Sequence, residues 1–329
     1  MGIFSKKGRI IMKKNLIVAM LLSSVIIGST AGVGYAQTSE LKNMQQEQEG
    51  NVIETTIEKI TKGIYGEVKE GTKSEEYSEI FEMELQEYKD DSYTYLFDKD
   101  KIKVIMLDEK NGTTTFGKIS NEKQAQDIAS MIIEAAGITN LQENYDIFVE
   151  KLDFEDSYKY NVEFWEKIAS DFYTGNKISV ILMNDGYIDN FCRRDTGVKA
   201  ETYKKEVANV TEEKATEIAY MEAEQMAKQM EESYHSIQKE TDEQIISDAE
   251  LLGEITQNKI RNIKKNELNI KIEDKTAQEV KAYREIKDGK VVWVVDISNV
   301  EVNNDYGEME YIVEVDAETG IIVNESHTR

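Results

Sequence analysis

One stretch, Val291–Val323, restricts the folds open to this chain more than any other. It reads VVWVVDISNVEVNNDYGEMEYIVEVDAETGIIV. An apolar, β-branched run is followed by a polar turn, an alternating run and a tight Asp-Ala-Glu-Thr-Gly bend. That order is the signature of an antiparallel hairpin with one buried face. A hairpin buries its apolar face only if another layer covers it. The helical patterns upstream can supply that layer, so the expected class is α+β.

A helix followed by strands is written twice. Ile119-Ser120-Asn121-Glu122 leads into Ala125, Ile128, Ala129, Ile132 and Ile133, which fall on one face of a helix capped by Ser120 and ended by Gly137. Strands are expected at Ile147–Phe154, Tyr158–Trp165, Lys177–Met183 and Tyr187–Phe191, with turns at Thr174-Gly175-Asn176 and Asn184-Asp185-Gly186. Val210-Thr211-Glu212-Glu213 leads into the same Ala-x-x-Ile-Ala face at Ala215, Ile218 and Ala219. Strands follow at Val280–Ile286, Lys290–Ile297 and Met309–Val315. The spacing predicts one unit over 119–197 and a second over 210–329. The second carries a helical insertion at 219–264: one long helix, or a hairpin broken near Lys239–Asp242. Its methionines read as core fillers. Residues 37–118 read as a polar leader, with a thin stripe at Val52, Ile57, Ile60 and Ile64, then a small antiparallel sheet of two or three strands drawn from Ile80–Tyr88, Tyr93–Phe97 and Lys101–Leu107.

Residues 1–36 are different in kind. Lys6, Lys7, Arg9, Lys13 and Lys14 precede an apolar run ending Gly34-Tyr35-Ala36, and no acid occurs before Glu40. This is the pattern of a secretory signal peptide, with an uncleaved N-terminal anchor as the alternative. Translation starts at Met1 or at Met12. No cysteine lies near the end of the apolar run, which argues against lipid attachment there. The expected location is secreted or extracytoplasmic, in a bacterial envelope of Gram-positive type. With 64 acidic against 40 basic residues, the net charge is −24. A field of that sign disfavours nucleic acid and anionic membrane surfaces, and suits cationic partners or loosely held divalent cations. The single cysteine, Cys192, cannot close an internal disulfide.

Catalytic signals are sparse. The two histidines, His235 and His327, lie outside any His-Glu-x-x-His context, and no nucleophile elbow or phosphate loop is present. Carboxylates two apart, as in Asp98/Asp100, Glu308/Glu310 and Glu314/Asp316, share a strand face but are expected to be solvated. The oxygen-rich run Asn303–Glu308 reads as a hairpin turn, not a calcium loop. No catalytic, metal-binding or cofactor-binding residue is expected.

The run Trp293-Val294-Val295-Asp296, with Tyr311 and the bend Asp316-Ala317-Glu318-Thr319-Gly320, resembles the PepSY domain of peptidase propeptides and a spore-germination protein. The resemblance is good over Val291–Val323 and partial from Thr211; the copy at Ile119–Phe191 keeps only Asn184-Asp185-Gly186 at its closing turn. It implies two PepSY-like helix-plus-sheet units. It makes Trp293, Tyr311, Asp316, Ala317, Thr319 and Gly320 structural motif positions. It also implies a non-enzymatic binding or regulatory role, with a peptidase as the partner class. A structural or assembly role in the envelope or spore is the alternative, and a carboxylate-based hydrolase a more remote one. The helical insertion at 219–264 departs from the family pattern.

Overall fold

The computed structural model describes residues 52–61, 68–81, 83–111, 114, 116–154, 157–204, 208–252 (side chains to 236), 270–272, 278–302 and 308–328. The signal-type segment, the leader over 37–51 and the oxygen-rich run 303–307 lie outside them. Helix α1 spans 52–61. It is followed by β1 (Lys69–Lys73), α2 (Glu75–Ile80), β2 (Gln86–Lys89), β3 (Tyr93–Asp98) and β4 (Lys101–Leu107). Next come α3 (Glu122–Ala135), α4 (Leu141–Asn144), β5 (Tyr145–Phe154), β6 (Ser157–Ala169), β7 (Phe172–Met183), β8 (Ile188–Arg194) and α5 (Ala200–Tyr203). Helix α6 (Glu212–Leu252) then leads to β9 (Glu279–Lys287), β10 (Lys290–Glu301), β11 (Glu308–Asp316) and β12 (Ile322–Thr328). The class is α+β, with helices laid on one mixed, mostly antiparallel sheet.

The sheet runs β1-β2-β3-β4-β8-β7-β9-β10-β11-β12, and β6 and β5 continue from the other edge of β7. Every pairing is antiparallel except β7 with β9, which is parallel and two residue pairs long, Phe172↔Arg284 and Tyr173↔Glu285. The core divides accordingly. One cluster gathers Ile128, Ala129, Ile132 and Ile133 of α3 with Tyr160, Val162, Phe164, Val180 and the aromatic residues of β3. The other gathers Ala215, Ala219, Ala223 and Met226 of α6 with Trp293, Val295, Ile297, Tyr311, Val313 and Val315. Alanines on α6 let its backbone lie close to the sheet, so the β-branched side chains below fill the space.

Local chemistry explains where the elements begin and end. Asn121, not Ser120, caps α3: its side chain accepts from Gln124 N at 2.8 Å. Ser120 instead hydrogen-bonds the Gln124 side chain. At the other end, Gly137 N reaches Glu134 O and Ile138 N reaches Ile133 O, the paired bonds that close a helix on a left-handed residue. Thr174-Gly175-Asn176 is not a turn. It lies within β7, and the chain reverses at Ser170-Asp171. Gly175, at φ +83°, forms an irregularity where an added Cβ would stand 3.1 Å from Glu285 Oε1 and from Ile286 O. A glycine there lets β7 approach β9.

Upstream, 75–80 form a helix capped by Ser74, and of the expected Ile80–Tyr88 strand only Gln86, Glu87 and Tyr88 lie in β2, which runs on to Lys89. The expected small sheet is four strands of the one large sheet, joined to it where β4 pairs β8; the added strand, β1 (KEGTK), is an edge strand with no apolar residue to announce it. The stripe of α1 is Ile53, Ile57 and Ile60, with Val52 turned outward. Helix α6 passes unbroken through Lys239–Asp242, so the broken-hairpin alternative does not hold there; Ile263 lies outside the described residues.

The burial of α3 makes a sharp expectation. Ile132→Ala, at a fully covered position, should lower unfolding free energy by about 2–5 kcal/mol. Met131→Ala, at the adjacent exposed position, should change it by less than about 0.5 kcal/mol in the same urea titration.

Candidate functional site

The six motif positions lie at the closing end of β10 and β11. Trp293 packs into the α6 cluster, and its Nε1 donates to the carbonyl of Val210 at 2.8 Å. Tyr311 is fully buried beneath the same helix. Asp316 Oδ1 accepts from the backbone N–H groups of Glu318 and Thr319 and from the Thr319 hydroxyl. These bonds, the Thr319 amide first, hold the Asp316 carboxyl below its usual range. Ala317 is buried, and Gly320 takes φ +74°, which favours a residue without Cβ. All six positions are spent on packing and on the turn.

The same joint occurs at α3. Ile119 N donates to Asn184 O, in the turn between β7 and β8; Val210 N donates to Ala317 O, in the turn between β11 and β12. Each leading residue also accepts a side-chain donor from the second strand of its meander: the Tyr158 hydroxyl onto Ile119 O at 2.9 Å, and Trp293 Nε1 onto Val210 O. By register the two donors differ, since Asn184 N and Ala317 N bond Tyr158 O and Val291 O respectively. Tyr158 therefore stands at the place of Val291, and Trp293 at that of Tyr160. With Asn121 as cap, the step from cap to first buried alanine is the same as from Thr211 to Ala215, so no gap is needed within the helices.

Where β7 meets β9, cations and rings interleave on both faces of the sheet. On one face Lys177 Nζ lies 3.9 Å from the Trp165 ring centroid and 3.0 Å from Glu285 Oε2. Tyr283 and Tyr173 stack around Trp165 at 4.9 and 5.3 Å. On the other, the Arg284 guanidinium sits over Phe172 at 4.6 Å and over Trp293 at 5.6 Å. Glu285 is 1 % exposed and no aligned hydrogen bond reaches its oxygens, so Lys177 balances it chiefly by charge. Burial pushes the Lys177 ammonium down, against the pull of Glu285. The sequence hid this cluster, since nothing local ties Lys177 to Glu285.

A second feature was missed though a sign was present: Asp296 is a lone acid inside an apolar run. On β10 it faces away from α6, beside Glu310 of β11, and its Oδ1 is buried without a partner. Its direct neighbour Lys281 pairs with Glu279 instead. Burial first, then Glu310, raise Asp296 to about 7. Glu308/Glu310 and Glu314/Asp316 are not all solvated, because Glu314 is buried and bonded by Lys287. His235 is exposed on α6, and His327 lies on β12. Cys192 sits between Val104 and Ser179, with burial raising its thiol to about 11. Among the described residues, no group of three or more His, Cys, Asp or Glu could hold a metal ion. Nor is any described helix long and apolar enough to cross a membrane.

No family model matches this chain, and no curated protein matches it. Among solved structures, one that matches is a candidate lipoprotein of Clostridium difficile 630. It is 14% identical, with 57% of this chain and 85% of that one covered, at a TM-score of 0.19.

Two measurements test the clusters. Lys177→Ala leaves Glu285 buried and unpaired, so urea unfolding should show a loss of about 3–5 kcal/mol, which the apolar double variant K177M/E285M should largely recover. Asp296 binds its proton more tightly folded, near 7, than unfolded, near ~4. Its contribution is therefore complete below about pH 4 and is lost as pH rises to about 7. Asp296→Asn should flatten this fall, raising Tm more at pH 8 than at pH 5.

Proposed function

We propose that this chain is an extracytoplasmic, non-catalytic binding protein built from two PepSY-like units, which regulates another protein outside the cytoplasm. The units would be α3 with β5–β8 and α6 with β9–β12. The matched joints at Ile119 and Val210 support reading them as two copies of one design, and the charge pattern of residues 1–36 supports export.

One observation carries the binding role: the sheet offers open strand edges with apolar side chains beside them. Among the described residues β5 pairs only with β6, and β12 only with β11. Exposed beside these edges are Phe148, Phe154, Ile321 and Val323. Large apolar groups at unpaired backbone are a place for another chain to add. The resemblance makes an extracytoplasmic peptidase the partner class. A second reading, assembly of the envelope or spore, is favoured by α6. This helix has 41 residues, about 60 Å, on strands of at most 12 residues, about 40 Å.

The purified exported chain, added to the secreted peptidases of its host, should form a stable complex with at least one and lower its activity, and D296N should bind equally well. Complex formation with none removes the peptidase reading. Substrate turnover by the chain itself, abolished in D296N, would overturn the non-catalytic one.

A further inference from the structure

Among the described residues three free edges border the sheet, and they are not equivalent. Strand β1 is short, irregular in register and flanked by Lys69 and Lys73. Strand β12 is exposed, but Asn324 and Thr328 on one of its faces already bond Glu314 and Glu310 across β11. Strand β5 is ten residues long and pairs in unbroken register with β6, from Tyr145↔Glu166 to Phe154↔Ser157. Its two faces divide cleanly. Tyr145, Ile147 and Val149 turn toward the α3 core. Phe148, Glu150, Leu152 and Phe154 turn the other way, and among the described residues no helix buries Phe148 (45 % exposed) or Phe154 (52 % exposed).

The side chains on that outer face are held in place. Phe148 stacks on Trp165 at 4.9 Å, and Lys159 lies over the Phe154 ring at 5.4 Å. The charges that commonly protect an edge strand do not protect this face. Lys151 and Asp153 belong to the opposite face and bond each other. Of the two acids among the outward side chains of β5, Asp146 is already bonded by Lys167 and the Tyr173 hydroxyl; Glu150 remains, exposed between the two phenylalanines, on a chain with net charge −24.

We propose that the free edge of β5 is a strand-addition site for an extended segment of a partner protein. That segment carries apolar side chains opposite Phe148, Leu152 and Phe154, and a lysine or arginine opposite Glu150. The inference rests on the binding reading above and names the site and the chemistry of its occupant. Backbone pairing along β5 supplies affinity. The alternating pockets supply selectivity, and the acidic field draws in cationic segments first.

The probe is a synthetic octapeptide alternating threonine with Val, Lys, Val and Phe, titrated into the full chain by calorimetry. Saturable binding is expected, with new amide-exchange protection confined to β5. Two versions of the peptide, N-methylated at one or the other set of alternate amides, leave the protein untouched, and one of them should lose binding. F148D/F154D should weaken binding by about tenfold or more, the scale of lost aromatic anchors. E150K should prefer the peptide whose Lys is replaced by Glu. Absence of binding, equal binding by both methylated peptides, or protection at β12 instead of β5 overturns the proposal. If a peptidase complex forms with wild type and survives F148D/F154D unchanged, the site is wrong and the binding role stands. If no complex forms with wild type, the role itself fails.

Discussion

Two residue pairs hold the larger architecture together. Phe172↔Arg284 and Tyr173↔Glu285 are the only parallel pairing among the described residues, and they join a meander covered by α3 to one covered by α6. So short a ladder is weak by itself, since parallel pairing has no advantage per residue. Its strength comes from what flanks it: a guanidinium on two rings on one face, and an ammonium between a tryptophan and a buried carboxylate on the other. Such groups are directional. They fix the angle between the meanders where apolar contact alone would let them slide, which suits a protein whose exposed strands must keep their geometry.

Much of the fold was legible because its elements obey local rules. The faces of α3 and α6 followed from apolar spacing, and β10 and β11 from alternation. What was misread has physical causes. Ser120 and Asn121 both make good caps, and only the reach to Gln124 N decides between them. Gly175 carries a turn signal, but its positive φ serves an irregularity inside a strand. Strand β1 has no apolar residue because edge strands need none. The segment 75–80 is a helix because Ser74, Glu75 and Glu76 favour a helix start, a local signal overlooked in favour of the alternation that follows.

The site was less legible than the fold. Motif positions such as Trp293 and Asp316 are prominent in sequence because they are structurally demanding, and that demand consumes their polar groups. Phe148, Glu150 and Phe154, the contacts proposed above, are inconspicuous: they belong to a strand that pairs on one side only among the described residues, and sequence does not display missing neighbours. Asp296 stands between these cases. A lone acid in an apolar strand is visible, but its partner Glu310 becomes adjacent only once β10 and β11 pair.

Cys192 carries a consequence for the location proposed above. In oxidising surroundings an odd cysteine invites mixed disulfides with neighbouring molecules. Here the attacking species is nearly absent, because a thiol held at about 11 is ionised at neutrality in only about one molecule in ten thousand. Strand pairing with Val104 and Ser179 adds a steric shield. If exported as proposed, the protein can carry its lone thiol through an oxidising compartment largely in the unreactive, protonated form.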